Sequence, residues 1–262
     1  MPTRIVVDGL WEAYRRRSKL GWRRRGTPHW ALRDVSLTVP AGSCLGVIGG
    51  NGSGKTTLLQ VVAGVLRPTR GRVEAHGRLA TLVDLSAGFH RDLTGRENLL
   101  IGGVLLGLRR HEVRERLDEI VEFSGLDADT VDAPLAGYSA GMGLRLGFSL
   151  VVCSRPDVLL VDEVLAVGDD AFQRRCFQRI DELRDGGCAV MFVSHDMSLI
   201  REHTDEVAVL ERGELAYVGA PAEAVAYHLD RRGLADTEVA ADRNLFDPSA
   251  RADAARRRRG VR

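Results

Sequence analysis

Apolar and polar positions in this chain follow two rhythms, a period of two and a period near 3.6, and they interleave in the order expected of an α/β protein. Ile5 to Val7 and then Gly9 to Tyr14 read as strand segments. Ala31 to Val39 alternates, with Leu32, Val35, Leu37 and Val39 on one face, as a half-buried strand does. Continuous apolar runs at Leu45 to Ile48, Val158 to Val161 and Cys188 to Val193 fit parallel strands covered on both faces. Leu79 to Leu85 reads as a further strand ending at Asp84, and Val207 to Leu210 with Leu215 to Val218 as a hairpin turning at Glu211 to Glu214. Leu58, Leu59, Val61, Val62, Val65 and Leu66 predict a helix packed on a sheet and ended by Arg67-Pro68-Thr69. From Thr94 to Gly125 the rhythm is helical, with Val113, Leu117, Ile120 and Val121 at i, i+4, i+7 and i+8, and the segment reads as a helical insertion. Phe172, Cys176, Ile180 and Leu183 mark another helix, stopped by Gly186-Gly187. Pro221 to Leu229 begins with Pro in its first turn.

Charge changes this picture at two places. Between Arg15 and Arg25 there are seven cations and no acid, and between Arg251 and Arg262 six cations and one Asp. The rest of the chain holds 24 cations against 35 acids, a poor surface for nucleic acid. The basic stretch from Arg15 to His29 interrupts what would otherwise be one antiparallel strand pair. A solvated loop is the plain reading; Trp22 among the arginines also suits lipid headgroups or the cytoplasmic face of a membrane partner. Past Gly233 the periodicity ends, which predicts a flexible basic tail over residues 234–262. Cys44, Cys153, Cys176 and Cys188 show no metal spacing and read as buried, reduced thiols. No apolar run approaches the ~18 residues of a spanning helix. A cytosolic protein is expected, whose membrane role needs a partner.

Candidate chemistry begins at Gly49-Gly50-Asn51-Gly52-Ser53-Gly54-Lys55-Thr56-Thr57, set between a strand and a helix. This is the spacing of a phosphate-binding loop. Its glycines let successive N–H groups face a phosphate, Lys55 can reach the terminal phosphates of a nucleotide, and the Thr56 hydroxyl can ligate Mg2+. Lys55 is one of only two lysines in the chain, the other basic side chains being arginines, so its place here is selective. Asp162, at the carboxyl end of an apolar strand, can hold magnesium; Glu163 beside it can take a proton from a water attacking the γ-phosphate. His195, at the end of the next strand, can hydrogen-bond the γ-phosphate. A phosphate loop alone leaves kinases, GTPases, helicases and transporter ATPases open, and no Asn-Lys-x-Asp base-reading motif points to a GTPase.

Tyr138-Ser139-Ala140-Gly141-Met142, between the phosphate loop and Asp162, resembles the Leu-Ser-Gly-Gly-Gln signature of ABC transporter nucleotide-binding subunits, with Ser139 and Gly141 kept. The resemblance runs over residues 5–230. It implies a P-loop NTPase (RecA-like) core with an antiparallel β subdomain and an inserted helical subdomain at about residues 90–150, inside an ATPase domain spanning 1–233. It further implies a head-to-tail homodimer in which Ser139 and Gly141 serve ATP held by the partner, Asp169 in a loop crossing the interface, and Tyr14 stacked on adenine. Asp84 stands where most of the family carries a magnesium-binding Gln. Gly88-Phe89, Leu93 to Asn98 and Asp162 to Asp169 are similar to the subunits that export O-antigens, teichoic acids, capsules and galactans. The expectation is an ATPase at the cytoplasmic face of the membrane that drives export of a lipid-linked polysaccharide through an integral permease. The alternative is an ABC ATPase acting on ribosomes or DNA. Those usually carry two cassettes or a long coiled coil, whereas this chain has one cassette and no sustained heptads.

Overall fold

The computed structural model describes residues 2–14, 28–82, 88–162 and 169–231. The basic stretch at 15–27, Asp84, Glu163 and the expected tail lie outside them. Two sheets share one apolar layer. Strands β1 (Thr3–Tyr14), β2 (His29–Pro40) and β4 (Arg70–Ala75) form an antiparallel sheet in the order β2-β1-β4. The second sheet runs β5-β6-β7-β3-β8-β9, where β3 is Cys44–Ile48, β5 Leu79–Thr81, β6 Val158–Asp162, β7 Ala189–Val193, β8 Glu206–Glu211 and β9 Glu214–Gly219. Its neighbours are parallel from β5 to β8, and β9 closes the edge antiparallel.

The period of two divides each central strand between two cores. Leu45, Val47, Val158, Leu160, Met191 and Val193 point to one side, where they meet the inward faces of β1 and β2 and the helix α1 (Lys55–Val62) through Leu58, Leu59, Val61 and Val62. Cys44, Ile48, Leu159, Val161, Val190 and Phe192 point to the other side, toward α5 (Ala140–Cys153), α6 (Asp170–Asp185) and α8 (Pro221–Arg231). That division is why the runs are apolar without alternation.

The two segments read at the start of the chain form a single strand with register shifts around Gly9, and Tyr14 pairs with His29 as the antiparallel reading requires. Strand β4 has no counterpart in the sequence reading, because it lies at a sheet edge and only Val73 and Ala75 pack inward. Helix α1 ends at Val62, not at Arg67. Gly64 takes φ +73°, its N–H bonds the Val61 carbonyl, and the N–H groups of Val65 and Leu66 both return to Gln60. This Schellman closure leaves Val65 71% exposed, so the apolar stripe ends a turn early.

The helical segment comprises α2 (Gly95–Leu105), α3 (Arg110–Ser124), α4 (Ala128–Val131), a 3-10 turn at Leu135–Gly137, and α5. Thr94 and Glu97 close a capping box on α2. Val113, Leu117 and Ile120 are buried at the spacing read from the sequence. Beyond Arg145 every residue of α5 is buried, which ties this segment to the sheet. Helix α7 (Met197–His203) follows β7 and is capped by Asp196.

Candidate functional site

Strand β3 delivers the chain into the phosphate loop from the middle of the parallel sheet. A Cβ on Gly49 would lie 2.3 Å from the Leu210 carbonyl, and one on Gly54 would lie 2.7 Å from the Ala31 carbonyl, so both positions need glycine. At Gly50 and Gly52 the same construction meets nothing within 4 Å, so on that side the loop faces open space. Lys55 is only 7% exposed; its Nζ donates to the carbonyls of Gly49 at 2.8 Å and Gly50 at 3.3 Å. The ammonium is thereby folded against the loop it serves.

Three features of this loop fit an anion. Helix α1 starts with no side-chain cap and no acid in its first turn, so its end N–H groups and dipole remain available. The Ser53 hydroxyl is buried and makes no hydrogen bond, an arrangement that needs a partner. Lys55 adds a full positive charge. The tip of the β8–β9 hairpin braces the arrangement from outside: Gly213 donates to the Ser53 carbonyl at 2.9 Å and accepts from the Arg33 N–H at 2.7 Å. Sequence reasoning found the hairpin but not this support, for which the Arg212-Gly213 pair was the only local signal. Both residues have positive φ.

Tyr14, at the last position of β1, is 43% exposed, and its hydroxyl lies 3.2 Å from the Thr57 hydroxyl in the first turn of α1. The ring expected over adenine is therefore beside the phosphate-binding helix. Across the sheet, Val47, Val193 and Asp162 pair in one row of β3, β7 and β6. Asp162 thus ends β6 at the same level as the start of the phosphate loop, two residues past Val47, and His195 lies two residues past Val193 on that edge. Thr56 is exposed at the start of α1. One carboxylate and one hydroxyl, both hard oxygen donors, suit magnesium, which keeps waters and phosphate oxygens for its other positions. Among the described residues no cluster of three or more His, Cys, Asp or Glu forms a fuller metal cage.

Ser139 is elsewhere in the chain's architecture. It is exposed and caps α5, accepting from the Met142 N–H at 3.2 Å, and its carbonyl accepts from Gly143 at 3.1 Å. Gly141, the second residue of that helix, has nothing but the Ser139 hydroxyl near its missing side chain. The hydrogen bonds of Ser139 thus stay within its own helix, and none reaches residues 49–57. Asp169 caps α6 through the Phe172 N–H at 2.8 Å and pairs with Arg145 at 2.7 Å. The Phe172 hydrogen bond, helped by Arg145, holds its carboxyl below the usual carboxylate range.

The roughly 820 Å³ cavity beside the loop touches Gly50 to Ser53 but not Lys55, Thr56, Tyr14 or Asp162. Both partners of the Arg33–Glu214 and Arg231–Glu211 ion pairs line it, so it lies between the loop, the β8–β9 hairpin and α8.

Residues 32–166 match the family model described as ABC transporter. Among curated proteins, the chain is 45% identical to the O-antigen export system ATP-binding protein RfbB of Klebsiella pneumoniae, over 75% of this chain and 79% of that one. It is 41% identical to the teichoic acids export ATP-binding protein TagH of Lactococcus lactis over 75% of this chain, but covers only 42% of that longer protein. Among solved structures it superposes on an ATP binding subunit of an ABC transporter with a TM-score of 0.71 at 20% identity, covering 89% of this chain and 95% of that one. A dimeric bacterial ABC transporter cassette gives a TM-score of 0.69 at 19% identity, covering 83% and 98%.

Proposed function

The chain belongs to the ABC transporter family and is an ATPase, and we propose that it powers export of a lipid-linked polysaccharide through a partner permease. The observation that carries the mechanism is spatial. Lys55 and Asp162 sit on one edge of the parallel sheet, whereas Ser139 is the exposed cap of α5 and its hydrogen bonds stay within that helix. A site that uses all three is completed by a second copy placed head to tail.

In this reading the loop amides, Lys55 and Ser53 hold the β- and γ-phosphates, Tyr14 stacks on the base, and Thr57 stays tied to Tyr14. Magnesium, held through Thr56 and Asp162 with Asp84 nearby in the family pattern, would neutralise charge on the phosphates. Glu163 accepts the proton of the attacking water, and His195 contacts the γ-phosphate from the end of β7. The partner's Ser139 and helix N-terminus close over the γ-phosphate.

The exporter reading is supported over a ribosome- or DNA-directed ATPase by relatives whose names carry O-antigen and teichoic acid export. No helix among the described residues is long and apolar enough to cross a membrane; in this reading the permease holds the chain at the cytoplasmic face. Affinity purification of the tagged chain from detergent-solubilised membranes should recover an integral membrane permease, identified by mass spectrometry. A ribosomal or DNA-repair partner in its place would overturn the export reading.

The basic stretch from Arg15 to Arg25 has a separate expected role. Near an anionic surface each cation contributes about 1 kcal/mol. Replacing its arginines by Ser should leave the ATPase activity of the isolated subunit unchanged while polymer export and permease recovery fall severalfold. Equal loss in both assays would make the segment part of the fold.

A further inference from the structure

We propose that the cavity of about 820 Å³ between the phosphate loop, the β8–β9 hairpin and α8 is a second anion site, which takes a diphosphate, free or as the head of a small organic ester. That volume is ordinary for a small-molecule site. Lys55, Thr56, Tyr14 and Asp162 do not line it, so a ligand here occupies a different place from the nucleotide of the catalytic loop. Its charged lining, His228 aside, is Arg33, Arg212, Arg231, Glu211 and Glu214, which leaves one cation in excess.

Arg212 is that cation. Among the described residues it makes no hydrogen bond, ion pair or ring contact. It also holds an unfavourable conformation: Arg212 at φ +51° and Gly213 at φ +85° form the two-residue turn between the paired Glu211 and Glu214. Such turns favour Asn or Asp before the Gly, because short polar side chains enter the left-handed region most easily. An arginine in that place is strained, and no contact within its own chain offsets the strain. An anion in the cavity does so. Arg33 is nearly as free, its Nη1 lying 3.6 Å from Glu214 Oε1, beyond hydrogen-bond reach. Arg231 is the fixed member. Its Nη1 donates to Glu211 Oε2 at 3.1 Å and its guanidinium lies 5.2 Å from the Tyr227 ring, with further N–H donors left over for an acceptor.

The hairpin tip is fixed to the loop, which sets these cations in place before a ligand arrives. Gly213 donates to the Ser53 carbonyl and accepts from the Arg33 N–H, so Arg33 belongs to this backbone joint and Arg212 is next to it. Guanidinium forks match phosphate oxygens two at a time. An anion held here touches the loop that also holds the nucleotide, and like charges repel. Filling the cavity should therefore weaken ATP binding, and ATP should weaken the second anion reciprocally.

The test removes one anion site at a time in the whole chain. Lys55→Ala weakens the catalytic loop, and calorimetric titration of that variant with inorganic pyrophosphate at fixed ionic strength reads what remains. One site should persist. Adding R212N gives the turn its favoured Asn-Gly pair, so melting should not fall, while the dissociation constant for pyrophosphate rises at least ~10-fold through loss of a charged hydrogen bond. R212K keeps a cation without the fork and should restore part of the affinity. E214Q releases Arg33 from its carboxylate and should tighten binding, a gain that a merely structural role would not give. ADP in place of pyrophosphate separates the sources: an R212N-sensitive affinity equal to that of pyrophosphate marks a free diphosphate, a tighter one an ester, and either keeps the site. In the otherwise wild-type chain R212N should leave basal ATP hydrolysis unchanged and relieve part of its inhibition by pyrophosphate. Pyrophosphate binding that disappears with Lys55→Ala alone would overturn the proposal and leave the ATPase reading intact, since the catalytic loop would then be the one anion site. Affinity unchanged by R212N, or weakened by E214Q, would overturn it as well. So would R212N reducing ATP-dependent pairing without loss of pyrophosphate affinity, because the cavity would then face the second copy.

Discussion

Glu163→Gln should keep ATP and stop hydrolysing it. The amide has the shape of the carboxylate but cannot accept a proton from the attacking water, and general-base catalysis of this kind contributes about 10²- to 10⁴-fold. A fall in kcat of at least ~100-fold is therefore expected, with little change in nucleotide affinity, because the phosphate loop is untouched. Loss of a negative charge beside the γ-phosphate should also favour the closed pair of chains. In size-exclusion chromatography with ATP and magnesium the variant should elute as a dimer, and without nucleotide as a monomer. A monomeric profile under both conditions, or hydrolysis near the wild-type rate, would take Glu163 out of the catalytic role.

The second large effect concerns the two residues that the fold separates. Lys55→Ala removes the ammonium that the loop holds at the Gly49 and Gly50 carbonyls. A hydrogen bond to a charged group is worth about 1.5–3 kcal/mol, so ATP affinity should fall roughly 10- to 150-fold, and hydrolysis further because the same charge stabilises the transferring phosphoryl group. Ser139→Arg leaves the loop intact. It places a bulky cation at the exposed start of α5 and removes the cap on the Met142 N–H, a change of about 1 kcal/mol in stability. Nucleotide binding to the isolated chain should persist, while ATP-dependent pairing and hydrolysis are lost. Binding measured by analogue fluorescence and hydrolysis by phosphate release separate the two lesions.

Much of the core was legible because burial leaves a direct mark on composition. Strands β3, β6 and β7 are apolar on both faces since each lies between two packed layers, and runs such as Val158 to Val161 permit few other readings. The phosphate loop was legible for a different reason: a chain that must curl around an anion has to use glycine, and Gly49 and Gly54 show the close contacts that require it. What stayed hidden depends on contacts distant in sequence. The edge strand β4 buries too little to leave a pattern, and the early end of α1 follows from Gly64 within a run whose apolar residues continue to Leu66. The bracing of Ser53 by Gly213 joins positions 160 residues apart, and a backbone bond leaves no trace in side-chain chemistry. The Arg145–Asp169 pair is equally silent, since an Arg on a helix and an Asp at a helix start each have ordinary local explanations.

The central claim is that each nucleotide site is built from Lys55 of one chain and Ser139 of another, and mixing two inactive proteins tests it most directly. In a Lys55→Ala homodimer both sites lack their phosphate grip; in a Ser139→Arg homodimer both lack the contribution from the opposite chain. In a mixed dimer the two lesions fall in the same site, and the other site has an intact Lys55 and an intact Ser139. Differentially tagged variants, mixed over a range of ratios with the mixed species isolated by both tags, should therefore regain ATP-dependent dimerisation and part of the phosphate release, with a maximum near equal proportions. If Ser139 acts within its own chain, every subunit carries a lesion in its own site, and a flat, inactive response at all ratios in the doubly tagged fraction would contradict the head-to-tail arrangement.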